Sequence, residues 1–289
     1  MQIDHTSFND ISIFHPEEEF SIFHKLNFTR TVGGREWLRK FFTEPHSDLN
    51  KIRGTQKVIR TFMEHIHHWP SEISNGTVLV IDKFLDYPID PISEAPASFN
   101  NLFYKWMHNA DYSMIKYSMP HFGDFFRGLR QVSDLLTDLD LPPAIKLYVD
   151  RISGLLKEPP LKKLAETNRG EKLSTGQNLY FAYHMRGRYK NSTLELIDIF
   201  SRLDAWYSMA VAVKTYQLSF PEFVEQQTPL VDAKGLYHIL LPVPVPYDLQ
   251  MNPEQNFVFL TGANMAGKST LIKSVGAAVF LAHIGMGVP

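Results

Sequence analysis

The stretch NLYFAYHMRGRYKNSTLELIDIFSRLDAWYSMAVAVKTYQL, residues 178–218, contains no proline and a single glycine, Gly187. Between Ile197 and Tyr207 the apolar residues recur at steps of three and four, the spacing of one helix face. A continuous helix of about 40 residues would be ~60 Å long, so this stretch favours a single rod that projects or connects modules. Two ordinary helices with a break near residues 186–191 are the alternative.

The residues before this stretch also show helical patterns. In 47–68, apolar residues recur on one face, Ser47 is a candidate N-cap, and Trp69-Pro70 ends the run. Prolines separate the remaining apolar segments. The sequence therefore predicts a mostly α fold with long lever helices, and further helices near residues 17–26, 33–43, 99–118, 121–139, 143–157 and 160–166.

The pattern changes after Pro221. The prolines between residues 242 and 246 alternate with valine, which forces an extended path. Asn256–Leu260, with the sequence NFVFL, has the composition of a buried strand, and an apolar helix is predicted from Lys268 to about His283. We therefore expect the helical part of the chain to end near residue 220 and a region of mixed strand and helix to follow.

Composition narrows the class of protein. The chain has 289 residues, of which 44% are hydrophobic and 21% charged, and its net charge is −2. These values indicate a globular chain with a sizeable core and exclude a wholly cationic surface. There is no cysteine, which is compatible with a reducing cytoplasm. No secretory signal and no membrane-spanning run is visible, so a cytoplasmic location without membrane contact is expected.

One motif indicates chemistry. Residues 262–270 fit G-x-x-x-x-G-K-[ST], the phosphate-binding loop between a strand and a helix. In such a loop the glycines let backbone N–H groups point at phosphate oxygens, the lysine reaches the β- and γ-phosphates, and the serine hydroxyl binds Mg²⁺. We therefore predict an ATP and Mg²⁺ site, with Ser269 as the metal ligand, formed by Gly262, Ala263, Asn264, Met265, Ala266, Gly267, Lys268, Ser269 and Thr270.

The position of the loop is also informative. Only 19 residues follow Thr270, and none of them is acidic. Hydrolysis needs a downstream carboxylate for Mg²⁺ and a group that orients water. The chain is therefore expected to be cut early in an ATPase domain, to bind ATP weakly or not at all, and not to hydrolyse it.

Three blocks of sequence resemble the MutS family of mismatch-recognition ATPases. TGANMAGKST resembles the family's loop TGPNMGGKST, with Ala263 and Ala266 replacing proline and glycine. LNFTRTVGGREWLRKFFTEP (Leu26–Pro45) resembles the opening of its helical core, and LDAWYSMAVAVKTYQLSFPEF (Leu203–Phe223) its returning lever helix. The resemblance implies a helical core and lever domain over residues 1–225, followed by the start of an α/β P-loop ATPase domain over residues 226–289. It also implies ATP binding, action on DNA through lever helices, and a homodimer in the intact protein, whereas the present chain is compatible with a monomer.

The departures from the family pattern are also specific. In the family a mismatch-reading domain precedes the core, and since the sequence starts at the core-like block, we expect it to lack that domain and do not predict mismatch recognition. Residues 159–178 are too short for the family's DNA clamp. The family stacks an aromatic on adenine. Counting back without gaps reaches Pro244, and Tyr247 is the nearest aromatic substitute.

A basic segment at residues 157–190 holds eight Lys or Arg against three Glu, with aromatic residues between them. Such a mixture suits a DNA backbone or unpaired bases. A solvated helix face over a core stripe is the more common explanation of the same pattern. The candidate DNA-binding residues are Lys172, Arg186, Arg188 and Lys190.

Two further functions were weighed against a MutS-like ATPase. One is a non-catalytic helical interaction module with an unused P-loop remnant. The other is a P-loop protein of another kind, such as a small-molecule kinase, which would have no need of a projecting lever.

Overall fold

The computed structural model describes residues 4–93, 98–226, 228, 230–263 and 266–289. Most of them are helical, as predicted. Two short 3₁₀ turns, Glu18–Phe20 and Ile66–His68, accompany the longer elements. The elements are α1 His5–Asp10, α2 Ile22–Lys25, α3 Val32–Thr43, α4 Leu49–His65, α5 Asn75–Asp86, α6 Ser98–Met107, α7 Asn109–Leu136, α8 Pro143–Leu155, α9 Pro159–Glu166, α10 Thr175–Arg186, α11 Lys190–Thr215, β1 Val231–Leu236, β2 Tyr247–Met251 and α12 Lys268–His283.

The single rod predicted over residues 178–218 is wrong, and the two-helix alternative is confirmed. Helix α10 ends at Gly187, whose φ of −92° and ψ of −110° lie outside the helical region. A Cβ at this position would lie 3.0 Å from the Tyr183 carbonyl oxygen, so the turn leaves little room for a side chain. The lever-like helix α11 therefore starts afresh at Lys190.

Pro120 was expected to separate two helices, but α7 runs through it. Proline removes one backbone donor and frees the carbonyl four residues earlier. Here that carbonyl belongs to Lys116, and both Lys116 and Pro120 are exposed. Water can therefore bond the freed group, and the helix tolerates the proline.

The chain forms two compact units. One comprises Thr29–Arg35 and His65–Asp204, and the other Met1–Phe28, Glu36–Glu64 and Ala205–Pro289. Both units are discontinuous in sequence because α3, α4 and α11 contribute residues to each. The predicted domain boundary at residue 225 was drawn along the chain and stays a prediction.

The unit that contains His65–Asp204 is built around α7, against which α5, α8, α9 and α10 pack. Phe84 and Phe122 meet edge to face at 5.5 Å between ring centroids. Gly128 admits Ile73 so closely that a Cβ there would lie 2.5 Å from its side chain. The core of this unit is thus aromatic and tightly packed.

The other unit holds α12 and the small sheet. A series of ring contacts links Phe8 to Phe280 at 5.7 Å and Phe23 to Phe42 at 5.5 Å. Strands β1 and β2 pair antiparallel, with Val231 opposite Met251. This hairpin is the whole of the sheet in the part of the chain that the structure describes.

The buried strand predicted at Asn256–Leu260 is wrong. These residues belong to no strand and are all exposed, and Phe257 and Phe259 are each 80% accessible. A strand that is apolar on both faces requires neighbouring strands and covering layers. Among the described residues only β1 and β2 form a sheet, and neither pairs with this segment. None of the described helices is long and apolar enough to cross a membrane.

Candidate nucleotide-phosphate site

Helix α12 begins at the predicted loop. Gly267 caps it with φ +87°, a left-handed conformation in which a side chain would be strained. Gly262, at the other end of the loop, has φ +156°. The helix then starts at Lys268, and the Leu271 N–H donates to the Gly267 carbonyl at 2.9 Å. The first turn of α12 thus lies directly after the loop, where its unpaired N–H groups and positive dipole end favour an anion.

The Lys268 side chain folds back over the loop. Its Nζ donates to the carbonyl oxygens of Gly262 and Ala263, each at 2.6 Å. The ammonium group is held by two dipoles rather than by a carboxylate or an apolar pocket. Phosphate oxygens can therefore replace the carbonyl oxygens without a buried ion pair being broken.

Of the remaining loop residues, the structure describes Ala263, Ala266, Ser269 and Thr270. The Ala266 N–H donates to the Ala263 carbonyl at 3.2 Å. Ser269 is exposed and Thr270 half-buried, both in the first turn of α12. Asn264 and Met265 lie outside the described residues. The complete ring of amides and the Mg²⁺ role of Ser269 therefore stay predictions.

Tyr247 lies against the same helix turn. Its hydroxyl contacts the Leu271 carbonyl at 3.1 Å and the Ser274 hydroxyl. Ser274 also donates to the carbonyl of Thr270 or Leu271. These contacts hold the Tyr247 ring at the start of β2, next to the loop-bearing helix. The sequence placed Tyr247 upstream of the loop, but no sequence signal indicated its contact with Ser274.

The basic residues proposed for DNA do not form one group. Arg186 donates to the Phe84 carbonyl, and Lys190 Nζ donates to the Leu85 carbonyl at 2.9 Å, so both cap the last turn of α5. Arg188 lies 3.9 Å from Glu158. Lys172 is exposed in the loop before α10. Cations at a helix C-terminus stabilise it, so two of the four have a structural role beside any role in binding.

A second polar cluster lies where α6 meets α7. His108 Nδ1 is 2.7 Å from an Asp90 carboxylate oxygen, and the Asp90 N–H donates to Asp111 at 2.9 Å. Ligand atoms of these three side chains lie within 4.8 Å of one another. The Tyr104 hydroxyl also donates to the Asp90 carbonyl at 3.1 Å, and burial raises the pKa of Tyr104 to about 12. The histidine and the backbone already bond the carboxylates, and this cluster carries no separate functional assignment.

No protein-family model matches the chain. The DNA mismatch repair protein MutS of Thermotoga maritima (strain MSB8) is 32% identical over 145 residues, covering 48% of this chain and 17% of that protein. The MutS of Oleidesulfovibrio alaskensis is 27% identical over 178 residues, covering 58% of this chain and 19% of that protein. Part of this chain is related to the MutS family. The DNA-binding protein MutS2 of Pyrococcus furiosus is 32% identical over 99 residues, covering 32% of this chain and 17% of that protein.

The chain spans less than a fifth of the length of each of these MutS-family relatives. Within the chain, the structure joins two of the blocks that resemble the family. The buried carboxylate of Asp204, from the lever block, accepts hydrogen bonds from the Arg30 N–H, the Thr31 N–H and the Thr31 hydroxyl of the core block. The Thr31 hydroxyl in turn accepts the Gly34 N–H at 3.0 Å and begins α3.

Proposed function

We propose that this chain is part of a MutS-like protein that binds ATP with Mg²⁺ and acts on DNA. The observation that carries the proposal is the geometry of the described loop residues, where a left-handed glycine begins α12 and Lys268 turns back over the loop. The names of the relatives, which include mismatch repair and DNA-binding proteins, support the choice of DNA as the partner.

In this proposal the first turn of α12 and the loop amides bind the phosphates. Lys268 exchanges the carbonyl oxygens of Gly262 and Ala263 for β- and γ-phosphate oxygens, and Ser269 binds Mg²⁺, which neutralises phosphate charge. Tyr247, already fixed beside the helix, stacks on the adenine. Dimerisation and a cytoplasmic location belong to the same proposal.

Nucleotide binding is tested by titrating the chain with a fluorescent ATP analogue, with and without Mg²⁺. We expect weak, Mg²⁺-dependent binding that is lost in Lys268→Ala, because the lysine supplies the charge nearest the terminal phosphates. Lys234→Ala, which removes an exposed lysine from β1, is the matched control and should bind like the wild type. Equal binding by Lys268→Ala and the wild type would contradict the proposed site.

DNA binding is tested by fluorescence anisotropy with a labelled duplex at several salt concentrations. Each phosphate contact that is lost should reduce the slope of log K against log salt by about one. We expect this change for Lys172→Ala and Arg188→Ala, which are exposed, and not for Lys51→Ala outside the basic segment. Arg186 and Lys190 are poor test positions because their replacement would also uncap α5.

The second candidate is a helical interaction module that does not use its loop. The exposure of Asn256–Leu260 favours it, because a phosphate loop is ordinarily supported by a buried strand on one side and a helix on the other. Only the helix side is formed in the part of the chain described here. Absence of any nucleotide binding at millimolar analogue, together with a folded chain, would favour this second candidate.

A further inference from the structure

The far end of α12 is joined to the helical part of its own unit by a reciprocal pair of hydrogen bonds. The His46 N–H donates to the His283 carbonyl at 2.9 Å. The His283 ring nitrogen Nδ1 lies 2.7 Å from the His46 carbonyl oxygen. Since a carbonyl oxygen only accepts, Nδ1 of His283 carries the proton. The two residues are thus bonded to each other in both directions, although they are 237 positions apart.

The turn after His283 continues this close contact. Gly285 has φ +76°, and a Cβ on it would lie 2.6 Å from the Thr55 side chain and 3.1 Å from the Ile52 carbonyl oxygen. The backbone of the turn therefore packs directly on α4 with no intervening side chain. Any shift of the end of α12 must be accompanied by a shift of α4, because such packing has no free space.

The other end of the same helix begins at the phosphate loop. Helix α12 is 16 residues long, so a rigid helix spans roughly 24 Å from the loop to His283. His46 lies between the end of α3 at Thr43 and the start of α4 at Leu49. A displacement of α12 that follows occupancy of the loop would therefore reach α4 through His46 and Gly285.

We propose that the His46–His283 pair is the joint that transmits nucleotide occupancy of the loop to α4. The inference rests on the proposed nucleotide binding and specifies how that binding affects α4 in the same unit. Both histidines are positioning residues, since neither lies in the loop. The Nδ1–H group of the His283 ring donates one of the two hydrogen bonds of the pair. A substitution can remove this donor, whereas the other donor is the backbone N–H of His46.

The test is amide hydrogen exchange of residues 49–64 in the full chain, with and without saturating Mg²⁺–ATP analogue. In the wild type, nucleotide should slow exchange in the first turns of α4 about fivefold, at the low end of ordinary coupling between two sites. His283→Phe keeps a ring but removes the donor, and this ratio should fall to about half of its wild-type value or less, because only the Gly285 contact then remains. His283→Asn places an amide N–H close to the position of Nδ1, and the ratio should be restored.

The outcomes separate the two proposals. If the His46–His283 pair had only a structural role, His283→Phe would change hydrogen exchange in α4 in the absence of nucleotide. The ratio of the exchange rates without and with nucleotide would then keep its wild-type value, and this result would overturn the inference. Protection in the wild type that stops within α12 would also overturn it, without need of any variant. The nucleotide dissociation constants of all three chains are measured in parallel. Failure of the wild type to bind nucleotide would overturn the proposed function, and the inference with it.

Discussion

Asp204 illustrates how one residue determines local structure. Its side chain is fully buried, and it accepts three donors from residues 30 and 31. Burial raises the pKa of Asp204, and the hydrogen bonds to Thr31 and the Arg30 backbone oppose that rise. The carboxylate takes the place of solvent for backbone groups that α3 leaves unpaired at its start. The sequence showed Thr31 and Asp204 within two separate family-like blocks, but nothing in either block indicated that they meet.

Replacement of Gly34 tests this packing. A Cβ at residue 34 would lie 2.1 Å from the Asp204 carboxylate, so Gly34→Ala should reduce the free energy of unfolding by about 2–3 kcal/mol through displacement of a buried hydrogen-bonded group. Gly54→Ala is the matched control, because no atom lies within 4 Å of a Cβ there. Because residue 54 lies in the interior of α4, Gly54→Ala should raise the free energy of unfolding by up to about 1 kcal/mol. Urea unfolding measures both, and a Gly34→Ala chain as stable as the wild type would refute the account.

At the scale of elements, sequence prediction succeeded where the apolar pattern and the tertiary packing favour the same structure. Helices α3 and α8 fall where the apolar spacing placed them, because one face of each is buried. Prediction failed where the surroundings decided. Pro120 did not end a helix: it and Lys116, whose carbonyl it frees, are exposed, so that water can bond this group. Residues 256–260 did not form a strand because no strand among the described residues pairs with them.

The exposed segment Asn256–Leu260 has a testable consequence. Two phenylalanine side chains that are 80% accessible form an apolar surface, and such surfaces promote association. The double substitution Phe257→Asp and Phe259→Asp should lower binding of a hydrophobic dye and reduce self-association in light scattering, without lowering the melting temperature. Phe280→Asp, at a fully buried position, should instead unfold the chain. A large loss of stability in the double variant would show that the segment is packed in solution.

At the scale of the whole molecule, helix α12 was predicted better than the architecture. The loop and its helix follow from a contiguous motif, whereas the division into two discontinuous units depends on contacts between residues far apart in the chain. The His46–His283 pair belongs to the second kind. No local spacing in the sequence signals it.

The stability of the molecule should fall on mild acidification. Burial, and then nearby lysines, lower the pKa of His238, and burial and Lys51 lower the pKa of His46. In the unfolded chain these two histidines therefore take up protons near pH 6.5, the ordinary pKa of histidine, whereas in the folded chain they do so only at lower pH. The stabilisation is complete above this pH and is lost progressively below it, by about 1.4 kcal/mol for each unit of pKa difference.

Urea unfolding at pH 7.5 and 5.5 measures this loss. His238→Gln keeps a side-chain acceptor for the Leu240 N–H, with which His238 Nδ1 pairs at 3.4 Å, but it cannot be protonated. The variant should therefore lose less stability than the wild type between the two pH values. An equal loss in both chains would assign the acid sensitivity to other groups.

The position of Lys268 has a consequence for which ligands the loop can retain. Because its ammonium already rests on two carbonyl oxygens, every entering molecule must first release that internal pairing and then replace it. A tail of three phosphates offers oxygens enough to do so, whereas adenosine monophosphate offers a single group. Under the proposed function, the loop would therefore discriminate among nucleotides by the length of their anionic tail, independently of any contact with the base.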